Sequence, residues 1–136
     1  MKIAALLILA SAATSLHATD ADPTETLLDR CLAQKSHAST AGQTGCETAA
    51  GQAYDRRMNT AFSRLVRILP PEAAAQLRTS QRLWLAFRDA EGKARTALYE
   101  TRRGTMFVPM EAANQTRLVR DRAMELEAYV RAMAID

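Results

Sequence analysis

The sequence predicts an all-α domain, a small antiparallel bundle of about four helices with one disulfide-stapled hairpin at its N-terminal end. The composition has few glycines and aromatics among many Ala, Leu, Arg and Glu residues, which favours helix. Apolar residues recur at steps of three and four along the longer segments, which is the spacing of a helix face. No segment shows the alternation with a period of two that is expected of a half-buried strand.

Residues 1–18 have the anatomy of a secretory signal peptide. Lys2 supplies a positive charge, residues 3–13 form an apolar core, and small residues precede an expected cut after Ala18. The apolar run is shorter than the roughly 20 residues that span a bilayer, and an N-terminal anchor is the alternative. We expect residues 19–136 to form a single helical domain in the periplasm or outside the cell, with no membrane span after cleavage.

The first two helices are predicted from their ends. Asp22 is a good N-cap and Pro23 suits the first helical position. A polar loop over 36–45 follows, and the second helix runs from about 45 to 69, capped by Thr44 and ended by Pro70. The apolar sides are Leu27, Leu28, Cys31 and Leu32 in the first helix, and Ala50, Tyr54, Met58, Ala61, Leu65 and Ile68 in the second.

The third helix is predicted over 71–102, and Gly104 breaks the chain before a last helix that Pro109 opens. In the last helix the steps between apolar positions alternate between four and three, which is the strongest periodic signal in the sequence. The apolar sides are Leu77, Trp84, Phe87, Ala94 and Leu98 in the third helix, and Ala112, Thr116, Val119, Ala123, Leu126, Val130 and Met133 in the last.

Two cysteines, Cys31 and Cys46, are present. In an exported chain an even count predicts a disulfide, and closing this loop contributes about 3 kcal/mol in the chain-entropy model. A metal or redox pair is the alternative, although the spacing is not C-x-x-C and only His37 remains as a histidine after cleavage.

The charge pattern and the motifs limit the chemistry. The net charge is +3, and basic residues alternate with acids instead of forming the stripe typical of a nucleic-acid binder. With His37 in a polar loop, no Ser-His-Asp or Cys-His arrangement is indicated. Zinc signatures and phosphate-binding glycine motifs are also absent from the sequence. We expect no enzyme and no cofactor.

The segment SQRLWLAFRDAEG, residues 80–92, holds the only tryptophan and a group of charges. Trp84 and Arg88 are four residues apart and share a helix face with Gln81, while Arg82 and Asp89 lie on adjacent faces. A helix seam and a ligand site are the two interpretations, and we favour the seam. An arginine near the core needs a partner, for which Asp55 is a candidate.

This segment, written L-x-x-S-Q-R-x-W-L-x-F-R-D-A-E from Leu77 to Glu91, resembles the signature helix of the LprI-type family of small exported bacterial proteins. Cys31 and Cys46 match the family's first cysteine pair. The motif residues that the resemblance implies, with mainly structural roles, are Asp55, Asn59, Gln81, Arg82, Trp84, Arg88 and Asp89. Gly92 stands where many members have a further cysteine, and the lipid-accepting cysteine of the founding member is absent.

The resemblance implies a periplasmic or secreted, non-enzymatic protein-binding domain that acts as a lysozyme inhibitor. Because lysozyme is strongly cationic, such a partner favours an acidic patch, for which Asp22, Glu25 and Asp29 are candidates. The alternative interpretation of these three acids is a helix start whose dipole they complement. An accessory envelope protein that binds another exported protein is the second hypothesis, and a hydrolase using Asp55, Asp89 and Glu91 is the third.

Overall fold

A computed structural model describes residues 21–135 of the chain. Within this range the protein is all-helical and contains no strand, so the predicted fold class is confirmed. The predicted signal peptide, residues 1–18, lies outside the described residues. The elements are α1 (Pro23–Leu32), a 3-10 turn (Lys35–His37), α2 (Thr40–Ile68), α3 (Pro71–Glu100) and α4 (Phe107–Ala132).

Consecutive helices run antiparallel, which places the non-consecutive helices α2 and α4 parallel to each other. The two helices keep one register along their length. The Thr116 hydroxyl donates to the Glu47 carbonyl over 2.8 Å, and Arg57 is paired with Glu127 near the other end. This parallel pair is the centre of the domain, against which α1 and α3 pack.

The core lies between α2 and α4. Tyr54, Met58 and Leu65 from α2 meet Leu126 from α4, and all four side chains are fully buried. Burial of side chains of this size stabilises the fold by about 1.5–3 kcal/mol each. The predicted stripes of the second and last helices are therefore right in their central parts, whereas the terminal members Ile68 and Met133 are exposed.

A second, smaller cluster joins α1 to the start of α2 around the disulfide. Leu28 of α1 packs with Cys46 and Ala50 of α2, and Cys31 completes the cluster. Leu27, which the sequence pattern placed on the same apolar side, is exposed. A helix of ten residues that lies on one neighbour can bury only a narrow stripe.

The inward face of α3 differs from the predicted one. Leu77 and Trp84 do pack against the core, but Phe87, Ala94 and Leu98 are exposed. The inward face instead carries Ala74 and Gln81 as its buried members, together with half-buried Arg88, Arg95 and Tyr99. The prediction was wrong for these three residues because it assigned the inward side by hydrophobicity alone. The polar residues Gln81, Arg88 and Arg95, seven residues apart, also face inward.

The connection between α1 and α2 is tighter than the predicted loop. α2 begins at Thr40, five residues before its predicted start, because the Ser39 side chain accepts from the Gly42 backbone N–H and caps the helix. A Cβ at position 42 would lie 2.6 Å from the His37 Cα, so glycine is required for this close approach. The prolonged α2 brings Cys46 opposite Cys31.

The helices of residues 21–135 include none with both the length and the hydropathy that a membrane crossing needs.

Candidate functional site

The disulfide between Cys31 and Cys46 is confirmed, with Cα atoms 5.8 Å apart. The His37 imidazole covers it, since Nδ1 lies 3.4 Å and 3.5 Å from the two sulfur atoms and 3.0 Å from the Cys31 carbonyl oxygen. These three side chains form the group of potential metal ligands found within residues 21–135. Because both sulfurs are oxidised, the group offers one imidazole and no thiolate, which does not suit zinc.

A cleft opens between α2 and the second half of α3, with α4 as its floor. Gln52 and Asp55 form the α2 wall, Arg88 forms the α3 wall, and Gln115 and Thr116 lie on the floor. We call this region the motif cleft, and its central part has a volume of about 400 Å³. It continues into two neighbouring hollows of about 530 and 720 Å³.

The cleft exists because the polar side chains of α3 reach different helices along its length. In the first half, the Gln81 side chain contacts Met58 of α2 and Arg122 of α4. In the second half, Arg95 donates to the Asn114 carbonyl oxygen of α4 over 3.0 Å. The second half of α3 is thus fastened to α4, and the surface of α2 beside it stays open.

Arg88 links the family-motif residues at the rim of this cleft. Its guanidinium lies 3.8 Å from the Asp55 carboxylate, 3.0 Å from the Asp89 carboxylate and 5.7 Å from the centre of the Trp84 ring. Asn59 donates to Asp55 over 3.0 Å and completes the row. The guanidinium therefore combines two ion pairs with a cation–π contact, and all five side chains remain at least partly accessible.

The buried cation of the α3 seam is Arg122 of α4. The side chain is 7% exposed, and its Nε donates to Gln81 Oε1 over 3.0 Å. Nη1 pairs with the Glu125 carboxylate over 2.6 Å, and Nη2 reaches Ser80. Burial raises the pKa of Glu125, but the hydrogen bonds from Arg122 and Tyr129 and the charge of Arg122 together outweigh it, so the pKa lies below its ordinary value.

Sequence reasoning missed Arg122 because basic and acidic residues alternate in its segment, DRAMELE at residues 121–127, which is typical of a helix face exposed to water. The signal was present in the periodicity, since Arg122 adjoins Ala123 and lies three and four residues from Val119 and Leu126. A cation on the flank of a buried stripe has to meet a polar partner on the facing helix. Gln81 is that partner, which explains why an amide occupies a buried position on α3.

Asp22 lies at the start of α1, in a network with its own chain. Its carboxylate caps the helix by accepting from the Thr24 and Glu25 backbone N–H groups, and it also accepts from the Tyr54 hydroxyl over 3.0 Å. Arg57 pairs with it over 2.8 Å and bridges to Glu127 over 2.8 Å. The network locks α1 onto the central pair.

The pKa directions in this network follow from burial and pairing. Burial raises the pKa of Asp22, but the hydrogen bonds from the backbone, Arg57 and Tyr54 outweigh it and lower the pKa overall. Burial and the neighbouring Asp22 raise the pKa of Tyr54. The hydrogen bonds that Arg57 donates to Glu127 and Asp22 raise the pKa of Arg57. Asp22, Tyr54 and Arg57 therefore keep fixed protonation states near neutral pH.

The three predicted patch acids differ in what they offer a partner. The Asp22 carboxylate is occupied as described, and Glu25 accepts from Tyr54 and pairs with Arg120 over 3.3 Å. Asp29 is exposed, and none of the ion pairs found among the described residues includes it. Binding of a partner by these acids stays a prediction. Of the three, Asp29 has the carboxylate that is most available to a partner.

Arg82 stands apart from the other motif residues. It is exposed on α3 and does not line the motif cleft, whereas Asp55 and Arg88 do. The seven motif residues thus form three groups. Gln81 is buried in the core, and Arg82 is exposed on its own. The remaining five, grouped around Arg88, are Asp55, Asn59, Trp84, Arg88 and Asp89.

The comparisons with known proteins agree with this architecture. The sequence profile described as "Lysozyme inhibitor LprI" matches residues 31–126. The chain is similar to a solved structure titled "Crystal structure of a putative uncharacterized protein from Burkholderia thailandensis", with 37% sequence identity and a TM-score of 0.79 over 84% of this chain. The matched region covers 56% of that longer chain. No curated protein matches this sequence. The profile match covers most of the helical domain, and the chain therefore belongs to the LprI lysozyme inhibitor family.

Proposed function

We propose that this protein is an exported, non-enzymatic binding domain that inhibits a lysozyme or related muramidase. The observation that carries the proposal is the family match over residues 31–126. The predicted signal peptide over 1–18 and the disulfide support a periplasmic or secreted location, since disulfides persist in oxidising compartments.

The motif cleft is the surface that we assign to the enzyme partner. Of the family-motif residues, Asp55 and Arg88 line the cleft and Asp89 lines a neighbouring hollow, while Trp84 and Asn59 contact this group. Gln81 is instead buried in the seam between α3 and α4. Arg88 offers a guanidinium, and Gln52 and Gln115 offer amides at the wall and floor. A concave site that combines apolar area with a few convergent polar groups suits a protruding segment of a partner.

The charge of the domain favours muramidases that are less cationic than the most basic lysozymes. The net charge is +3 and the sequence pI is about 9.2. Two of the three N-terminal acids have their carboxylates engaged within the chain, so they steer a cationic partner weakly. Glycosidases of this class carry two catalytic carboxylates beside their substrate. Arg88 can meet such a carboxylate by exchanging its ion pair with Asp55 or Asp89.

The proposal of a non-enzymatic role rests on the state of the candidate acids. Asp55 and Asp89 are each ion-paired with the same Arg88 guanidinium. Both carboxylates therefore contact one guanidinium, whereas acid–base catalysis by two carboxylates needs both of them to face a substrate across one cleft.

A lysis assay tests the proposal. Protein purified from the periplasm is mixed with muramidases of acidic, neutral and basic pI, and clearance of a cell-wall suspension is followed. We expect slower lysis, with the less basic enzymes inhibited at lower concentrations. Unchanged lysis by every enzyme at a hundredfold molar excess contradicts the proposal.

A matched pair of variants locates the surface. Arg88→Gln removes the cation at the cleft rim, and Arg78→Gln removes an exposed cation of the same helix outside the cleft. We expect weaker inhibition only from the first, after circular dichroism has shown equal helicity. Full inhibition by Arg88→Gln together with its loss in Asp29→Asn would instead assign binding to the acidic start of α1.

A further inference from the structure

The outward face of α3 carries a row of exposed apolar side chains. Leu83 is 64% exposed, Phe87 52% and Leu98 62%, and the alanines at 90 and 94 between them are also exposed. We call the row of these five residues the outer stripe. It lies on the side of α3 opposite to Gln81, which faces the core.

The spacing of the outer stripe is that of a helix-packing face. Its steps of four, three, four and four keep the side chains within one sector of the helix. The stripe extends over 16 residues, and the 15 steps between its ends give a length of about 23 Å at 1.5 Å per residue. Isolated exposed leucines are common on proteins, but an aligned row with two alanines at its centre allows another helix to approach closely.

The charges beside the stripe are arranged so that the helix complements itself. Arg82, Asp89, Lys93 and Glu100 follow one another along the same edge of α3, and all four are exposed. A twofold axis at the level of residue 91 brings Arg82 opposite Glu100 and Asp89 opposite Lys93 in an antiparallel copy. Each charge then faces the opposite sign, and each pair occurs twice.

The same axis also matches the apolar residues. It brings Leu83 to the level of Leu98 in the copy and Phe87 to the level of Ala94. Leucine therefore faces leucine, and each Phe87 ring faces the small side chain of Ala94. The alanine at position 90 lies next to the axis and permits close contact. The apolar register and the charge register thus agree, although neither requires the other.

We infer that the outer stripe is the interface of a twofold-symmetric dimer in which the α3 helices of two copies pack antiparallel. The edge charges indicate that the partner is a second copy of this chain. An isologous interface must be complementary to itself, and the four charges of this edge meet opposite signs in the copy. Glu91 lies at the level of the axis, where it comes close to Glu91 of the second copy. This contact between two negative charges opposes dimer formation. Asp89 and Lys93 of this edge also line one of the hollows into which the motif cleft continues, whereas the five residues of the outer stripe line neither the cleft nor these hollows.

Sedimentation of the protein purified from the periplasm tests the interface, over concentrations from micromolar to near millimolar. We expect a reversible monomer–dimer equilibrium that Leu83→Glu weakens by at least about tenfold in dissociation constant, since two buried like charges would then face apolar surface. Leu27→Glu is the matched control, because Leu27 on α1 is also 64% exposed. A monomer at every concentration, or an equal effect of the two variants, overturns the inference.

Charge reversal tests the antiparallel register. Arg82→Glu alone sets like charges at both ends of the interface and should shift the equilibrium to monomer. The double variant Arg82→Glu/Glu100→Arg restores opposite signs and should recover the dimer, while Glu91→Gln should tighten it. A double variant that stays as monomeric as the single one overturns this register and the dimer built on it.

Discussion

The hydrogen bond between Arg122 and Gln81 predicts a large non-additive effect on stability. In Gln81→Leu, the Nε donor of a guanidinium that is only 7% exposed loses its acceptor. A buried donor of a charged group left without a partner costs about 2–3 kcal/mol. The leucine recovers part of this through contact with Met58 and the core, so we expect a net loss of about 2 kcal/mol.

The reciprocal change should cost a similar amount. In Arg122→Met, the Gln81 amide is left buried with the Met58 sulfur as its remaining contact, 3.5 Å away. The Glu125 carboxylate is 45% exposed and can turn to water, so its loss of a partner adds little. We expect a loss of about 1–3 kcal/mol for the unsatisfied amide.

The double variant Gln81→Leu/Arg122→Met replaces both polar partners by apolar groups of similar length. Such replacements of a whole buried polar pair are often neutral or stabilising. We therefore expect the double variant to lie within about 1 kcal/mol of the parent, and a coupling energy of about 2–4 kcal/mol from the cycle. Urea unfolding followed by circular dichroism at 222 nm measures all four free energies, with equal m-values as the control for two-state behaviour.

Additive effects would refute this reasoning. If the double variant lost the sum of the two single losses, the pair would contribute through packing alone and the seam between α3 and α4 would not be specified by polar contacts. An Arg122→Met variant as stable as the parent would show that the Gln81 amide is satisfied by water, contrary to its burial.

Three further predictions concern the N-terminal network, the disulfide and the tryptophan. Asp22 has a folded pKa below its ordinary value of 3.8, so its contribution to the free energy of unfolding is present above that pH and is lost as the pH falls through the folded pKa. Asp22→Asn should therefore lower the free energy of unfolding by about 1–3 kcal/mol at pH 7 and make stability less dependent on pH below about pH 4. Replacing Cys31 and Cys46 together by Ala opens a loop with a sequence separation of 15 and should cost about 3 kcal/mol in urea; an unchanged midpoint would contradict the chain-entropy account. Trp84→Ala removes a half-buried ring and should cost about 2–4 kcal/mol, against less than about 1 for the exposed Phe87→Ala at micromolar concentration; equal losses would contradict the assigned inward face.

The architecture was predictable because most of the signals were local or periodic. The cap at Asp22 and the break at Pro70 set element ends, and the stripes through Met58 and Leu126 identified the buried faces of α2 and α4. These signals depend on the chain's own helix geometry and need no knowledge of which helix lies opposite. The disulfide was predictable for a similar reason, since only one pairing of two cysteines exists.

The seam of α3 was not predictable in the same way. Hydrophobicity points to Phe87 and Leu98 as the inward side, while the structure turns Gln81 and Arg95 inward. A buried amide is stable only because Arg122 faces it, and a sequence does not show which residues of two helices will meet. The pairing of Arg57 with both Asp22 and Glu127 escaped prediction for this reason too, as its acids come from opposite ends of the chain.

The inward turn of polar residues on α3 has two structural consequences for function. Because hydrogen bonds to α4 fix the second half of α3, α2 is left uncovered there and the motif cleft with Arg88 at its rim is formed. Because the apolar residues of α3 are not used inside the domain, the outer stripe with Leu83 and Phe87 faces outward. A hydrophobic α3 seam would have closed the cleft and buried the stripe together. The polar seam around Arg122 is therefore the feature that leaves this four-helix domain with two open surfaces, the motif cleft and the outer stripe.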